Sequence, residues 1–410
     1  MSVAMKNRDM YLNRLIELKD TSLVKVITGV RRCGKSSLLD LYEAYLLSVG
    51  VQANQIIRIN FESLEFDGIR DYKALNDYVL SRVTPAEKSY VLLDEVQAVF
   101  EWERAVNSLR LDKRLDIYVT GSNSHLLASE LSTLLAGRYM ELHMLPLSFR
   151  EFLNFNDYDP QGDVQHYFNL YMARGGLPGV CEFGENESAM QVYREGIYNT
   201  IIMNDVMKRN EVRDPVLLEN VVRYMAGSIG NPISVKKISD YLASSGRKTA
   251  VETVDNYLSM LEKAYILYRA GRFDLKGKQN LKTQGKYYIV DTGIRDTLVG
   301  RRGQDYGFVL ENIVYFELLR RGFAVKVGSV AGKEVDFVAE KPGKTVYYQV
   351  TATMLAPETR ERELRALKAI PDNYEKVVLS MDRTFMTDYD GIKNVNLLDF
   401  LLESEDETQK

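Results

Sequence analysis

The chain has 410 residues, 45% hydrophobic and 27% charged. That length and apolar content suit two to four domains with a substantial core and exclude a wholly disordered chain. A formal net charge of −4 excludes a globally basic nucleic-acid coat, though not a local basic surface. No run approaches the roughly 18 uninterrupted apolar residues of a spanning helix, and the first residues lack a signal-type apolar core, so the expectation is a soluble, cytoplasmic protein without a membrane partner. Two cysteines, Cys33 and Cys181, and three histidines, His125, His143 and His166, show no ligand spacing, which argues against a disulfide framework or structural zinc.

In chain order, the β-branched run SLVKVITGV (Ser22 to Val30) reads as a buried strand entering a tight turn, and SSLLDLYEAYLLSVG follows it as a helix. Further apolar runs at Ile56–Phe61, Tyr90–Leu93 and Asp116–Thr120 alternate with amphipathic segments. Strands alternating with helices predict an α/β fold with a parallel sheet covered on both faces. From Gln165 to Asn210 the pattern is helical, broken by Gly175–Gly179.

A different module begins near Pro215. PISVKKISDYLASSG reads as a short helix capped by Ser234. TAVETVDNYLSMLEKAYIL opens with Thr249 and Glu252 at capping-box spacing and puts Val251, Val254, Leu258 and Leu261 on one stripe. With the strand-like AYILYRAGRFD and KYYIVD behind them, these helices predict a winged helix-turn-helix. The last region has a helix, three strands, a charged helix and another strand, as a small α/β domain would. The divisions expected are a nucleotide-binding domain over 1–160, a helical lid over 161–214, a winged helix over 215–290 and a C-terminal α/β domain over 291–410.

The chemistry is carried by Gly29-Val-Arg-Arg-Cys-Gly34-Lys35-Ser36, a G-x4-G-K-S phosphate loop placed after a strand and before a helix. Its glycines let backbone N–H groups curl around phosphate oxygens, and the helix N-terminus adds its positive end. Lys35 is expected on the β- and γ-phosphates and the Ser36 hydroxyl on Mg²⁺; Arg32 and Ser37 complete the nucleotide-binding set. The strand YVLL ends in Asp94-Glu95. Asp94 at its carboxyl end suits the metal, and Glu95 suits a water attacking the γ-phosphate, which favours hydrolysis over binding alone. A further strand delivers Ser122 and Asn123, to sense phosphate or hold the water, or simply to form a polar turn. Arg138 is a candidate for stabilising transition-state charge within its own subunit or across a homo-oligomer, and otherwise a surface arginine.

With GVRRCGKSSLL, LLDEVQ, TGSNSHLL, AGRYMELHMLPLSFREF and RGGLPGV in this order, the first half resembles a family of prokaryotic AAA-type P-loop ATPases close to the archaeal ATPase group. The resemblance implies ATP and Mg²⁺, an extra strand between the phosphate-loop strand and the Asp94 strand, a winged helix, and a C-terminal domain similar to restriction endonucleases. It assigns Gly29, Gly34, Lys35 and Ser36 to nucleotide, Asp94 to Mg²⁺, Glu95 to catalysis and Ser122 or Asn123 to phosphate sensing. The nuclease-like pattern is incomplete. Glu311 and Asp336 fit its acidic places, but Gln349 and Thr351 stand where Glu and Lys belong, so a degenerate site is expected.

Between Arg269 and Lys286 six basic residues face one acid, Asp274. That segment reads as a hairpin tip suited to phosphate contacts with double-stranded DNA, or as a solvated loop used for protein contact. The chain is therefore expected to be an ATPase acting through these modules on DNA. The alternatives are a nucleotide-controlled switch without nucleic acid and an ATP-dependent nuclease.

Overall fold

The protein was analysed as a computed structural model, which describes residues 6–84, 87–122, 135–247, 249–300, 303–383 and 386–403. It divides into two compact units, residues 1–146 with 263–265, and residues 147–262 with 266–410.

The first unit is built on five parallel strands, β1 (Val24–Thr28), β2 (Ile56–Asn60), β3 (Ser89–Asp94), β4 (Leu115–Gly121) and β5 (Tyr139–His143), in the order β2-β3-β4-β1-β5. Every residue of β1, β3 and β4 is buried, as continuous apolar runs covered on both faces must be. One face packs Val26, Val91, Leu93 and Val119 against Trp102 and Val106 of a helix spanning Trp102–Leu109. Strand β4 lies between β1 and β3, the extra strand that the resemblance implies. Strand β5 escaped the sequence reading because YMELH is an edge strand carrying exposed Met140 and Glu141, without the β-branched signature of the central strands.

The second unit begins with helices, among them Phe149–Phe155, Val164–Arg174 and Glu187–Thr200. Gly175 and Gly176 interrupt them where the chain meets Asp291, whose carboxylate accepts the Gly176 N–H at 2.6 Å. A Cβ on Gly175 would stand 2.3 Å from Asp291 Oδ1, which explains the glycine. Helices at Pro215–Ala226, Val235–Ser244 and Val251–Lys263 lead into a hairpin of β6 (Leu267–Asp274) and β7 (Gln279–Ile289). Ser234 caps the second of these helices, as expected, by accepting the Lys237 N–H.

That hairpin is not a free wing. Strand β6 pairs in parallel with β8 (Ala324–Val330), followed by β9 (Lys333–Lys341), β10 (Lys344–Thr351) and β11 (Glu375–Ser380). A single eight-stranded sheet results, crossing the boundary expected at residue 290. Backbone pairing between strands distant in sequence is invisible to local pattern, and it joins the two modules here. The helix Tyr306–Arg320 precedes β8, and Pro357–Lys368 separates β10 from β11. This is the expected order of helix, three strands, helix and strand.

Candidate functional site

The phosphate loop leaves the carboxyl end of β1. Gly29 has φ +143, and a Cβ there would lie 2.2 Å from the Met144 carbonyl oxygen, so only glycine fits. Gly34, left-handed at φ 104, precedes the helix Lys35–Ser48 and offers no side-chain cap. The first-turn N–H groups are thereby left for a ligand. Lys35 is 4% exposed, and its Nζ donates to the carbonyls of Gly29 and Val30 at 3.1 and 3.2 Å. Cys33 is fully buried, and burial raises its thiol pKa, so it serves as a packing residue.

Strand β3 brings the acid pair to the same end of the sheet, and Glu95 Oε1 lies 3.9 Å from Lys35 Nζ. Glu95 is itself left-handed, at φ 54, a conformation costly for a residue with a Cβ. Two contacts hold it. Its N–H donates to Thr120 Oγ1 at 2.9 Å, and the Gln97 amide donates to Glu95 Oε2. The Thr120 hydroxyl in turn donates to Asp94 Oδ1 at 2.6 Å. Thr120, buried on β4, therefore ties both acids to the neighbouring strand. The sequence reading passed over it as one more β-branched strand residue.

Among the polar atoms at this end of the sheet that are buried with no hydrogen-bond partner among the described residues are Asp94 Oδ2 and Ser122 Oγ. Such orphans are rare in native structures and mark places where a ligand or ion completes the pairing. The guanidinium of Arg58, on β2, lies 3.5 Å from Asp94 Oδ2 and 2.9 Å from Asp40 Oδ1. Nothing in its sequence context singled it out. Beside the loop, Thr28 Oγ1 stands 2.6 Å from Glu141 Oε1 and 2.9 Å from His143 Nδ1. Burial, with Lys35 adding to it, lowers the His143 pKa to about 4, so the ring is neutral at physiological pH.

The other predicted residues divide. Arg32, Ser36 and Ser37 are exposed around the loop, within reach of solvent and ligand. Asn123 lies outside the described residues. Arg138 lies apart from the loop within one chain. In the parallel pairing of β1 with β5, Val24 faces Tyr139 and Thr28 faces His143, and Arg138 accepts the Val24 N–H through its carbonyl. It therefore sits at the amino ends of the strands, about 16 Å of strand away from the phosphate loop. The structure does not bring it together with Lys35 and Glu95 in one chain. A parallel edge strand must start at the end opposite the loop, a constraint that residue type alone does not convey.

In the second unit, Glu311 and Asp336 do converge, together with Glu334, around Lys286. Lys286 is 2% exposed, so one of the six basic residues counted for the hairpin faces inward. Burial opposes its charge, but Asp336, Glu311 and Glu334 together raise its pKa. Burial and neighbouring Glu311 push the Asp336 carboxyl up to about 8. Lys276 and Lys278 at the hairpin turn are exposed.

Residues 21–153 match an AAA domain, and residues 165–305 match a domain of unknown function. An uncharacterized protein of Haemophilus influenzae is 40% identical over 405 residues, covering 98% of this chain and 100% of that one. An uncharacterized protein of Methanocaldococcus jannaschii is 29% identical, covering 88% and 82%. Among solved structures, a Walker-type ATPase of Pyrococcus abyssi aligns over 71% of this chain and 95% of its own, at 20% identity and a TM-score of 0.49. The Aeropyrum pernix ORC1 protein in complex with DNA aligns over 71% and 92%, at 16% identity and a TM-score of 0.30.

Proposed function

The chain belongs to the family of that Haemophilus influenzae protein, and from this premise, with an AAA domain over residues 21–153, we propose that it is a Mg²⁺-dependent ATPase. The observation that carries the reading is the approach of Lys35 to Glu95, 3.9 Å apart at the carboxyl end of a parallel sheet. Asp94 Oδ2 and Ser122 Oγ, buried without a hydrogen bond among the described residues, support it. In this reading the backbone N–H groups of residues 29–36 cradle the phosphates, and Lys35 exchanges its two carbonyl partners for phosphate oxygens. Asp94, whose Oδ2 accepts no hydrogen bond among the described residues, and the exposed Ser36 hydroxyl fit a Mg²⁺ ion, which when bound supplies charge neutralisation at the phosphates. Glu95, oriented by Thr120 and Gln97, takes the proton of the attacking water. Ser122 donates to the γ-phosphate.

Two variants test this. Lys35→Ala should abolish nucleotide binding, whereas Glu95→Gln should bind nucleotide normally and lose turnover by about 10²- to 10⁴-fold. Undiminished hydrolysis in Glu95→Gln would remove the catalytic assignment.

Within the same reading, hydrolysis drives conformational change in the second unit, and duplex DNA is the partner. Support comes from the exposed lysines of the hairpin turn and from three helices followed by that hairpin, with a bridge between Ile233 and Gly285, an arrangement that suits a winged helix. Salt-sensitive duplex binding that weakens in Lys276→Ala/Lys278→Ala is the expected outcome. No binding at low salt would leave a nucleotide-controlled switch.

A further inference from the structure

The resemblance to restriction endonucleases implies a divalent metal held by Glu311 and Asp336, and the residues present do not fit one. The Nζ of Lys286 stands among the carboxylates, 2.7 Å from Glu311 Oε1, 2.8 Å from Glu334 Oε1 and 3.6 Å from Asp336 Oδ1. Lys286, Glu311 and Asp336 are each less than a tenth exposed. The surrounding polar groups are also spoken for. The Tyr288 hydroxyl donates to Glu311 Oε1 at 2.6 Å, and the Val350 N–H donates to Asp336 Oδ2 at 2.9 Å. Gln349, in the place of a metal-binding glutamate, accepts the Asp336 N–H at 3.4 Å and donates to Glu363 Oε2 at 2.9 Å.

The contrast with the first unit is informative. There Asp94 Oδ2 and Ser122 Oγ are buried without a hydrogen bond among the described residues. Here no side-chain oxygen of Glu311, Glu334 or Asp336 is buried and unpaired. Among the described residues, no group of three or more His, Cys, Asp or Glu side chains is able to hold a metal ion. A cavity of about 380 Å³ is lined by Glu334 and Gln349, whereas Lys286, Glu311 and Asp336 are buried.

We propose that Lys286 is the resident cation of this carboxylate cluster, standing in the place of a divalent metal, so that the second unit holds a filled, non-hydrolytic acid site. A tethered ammonium competes well against a dissolved ion. It loses no translational freedom on binding, and a metal entering the cluster would have to strip a buried cation of its partners. The lysine comes from β7 rather than from the strand bearing Gln349 and Thr351, so the site is closed by the hairpin that β6 docks onto the sheet. This inference is independent of the nucleotide reading.

The test is Mn²⁺ binding to the full chain without nucleotide, in an Asp94→Asn background that removes the other candidate metal carboxylate. Direct titration followed by the paramagnetic signal of free Mn²⁺ should show no Mn²⁺ binding that depends on Asp336 in this parent. Lys286→Met should melt below the parent and recover by at least ~3 °C with millimolar Mn²⁺, and adding Asp336→Asn should abolish the recovery. Mn²⁺ bound by the parent and lost in Asp336→Asn would overturn the proposal. So would a folded Lys286→Met chain indifferent to Mn²⁺. The parent titration does not depend on the lysine variant folding, so it decides the matter by itself if that variant does not fold.

Discussion

Replacing Thr120 by valine changes one buried hydroxyl for a methyl of nearly the same shape, and it tests the arrangement on which the acid pair depends. The hydroxyl gives its proton to Asp94 Oδ1 at 2.6 Å and accepts the Glu95 N–H at 2.9 Å. Loss of a bond to a charged group costs about 1.5–3 kcal/mol, and a buried N–H left unpaired costs about 1–3 kcal/mol. Because both bonds share one atom, the combined loss is set near the lower half of their sum, about 3 kcal/mol. For a unit of this size that is a fall of about 6–12 °C in the midpoint. Calorimetry on the full chain should show it in the transition that nucleotide shifts. Turnover should fall at least about tenfold, because Glu95 loses the bond that fixes its left-handed backbone. Thr120→Ser keeps the hydroxyl and gives up one methyl, so it should lie within about 1 kcal/mol of the parent and hydrolyse normally. A valine variant within about 0.5 kcal/mol of the parent, with full turnover, would refute the role given to this residue.

Three other outcomes are expected. Gly29→Ala should lose nucleotide binding at least about tenfold and destabilise the chain by about 2–4 kcal/mol, since its Cβ meets the Met144 carbonyl at 2.2 Å; a fluorescent-nucleotide titration beside Lys35→Ala checks it. His143 has a folded pKa of about 4 against an ordinary 6.5, so the unfolded chain binds the extra proton first. The stability is fully present above pH 6.5 and is lost as pH falls toward 4, by up to about 3 kcal/mol, less in proportion to the ring's contact with water. Urea midpoints across that window should slope in the parent and flatten in His143→Gln. Arg138→Ala should leave turnover within about twofold, because its place is at the amino end of β5; a loss that grows on dilution would return it to a role between subunits.

Much of this protein was legible in one dimension because its determinants are local. The run VKVIT before a glycine, the G-x4-G-K-S turn and an apolar strand ending in Asp94-Glu95 each specify backbone and chemistry within a few residues. The central strands and their helices lie close to where those patterns put them. Edge strand β5 did not announce itself, since a half-exposed strand has no need of a buried strand's composition.

What only the tertiary structure decided is who meets whom across the sheets. Strand order and register bring Thr120 under both acids, set Arg58 against Asp94 and carry Arg138 to the far end. They also turn Lys286 from a supposed surface charge into a buried partner of Glu311 and Asp336. Pairing between strands distant in sequence depends on backbone hydrogen bonds that every residue type offers, so no local pattern encodes it. A side chain's charge is read from its letter. Whether that charge faces water or a carboxylate is settled by the strand on which the fold places it.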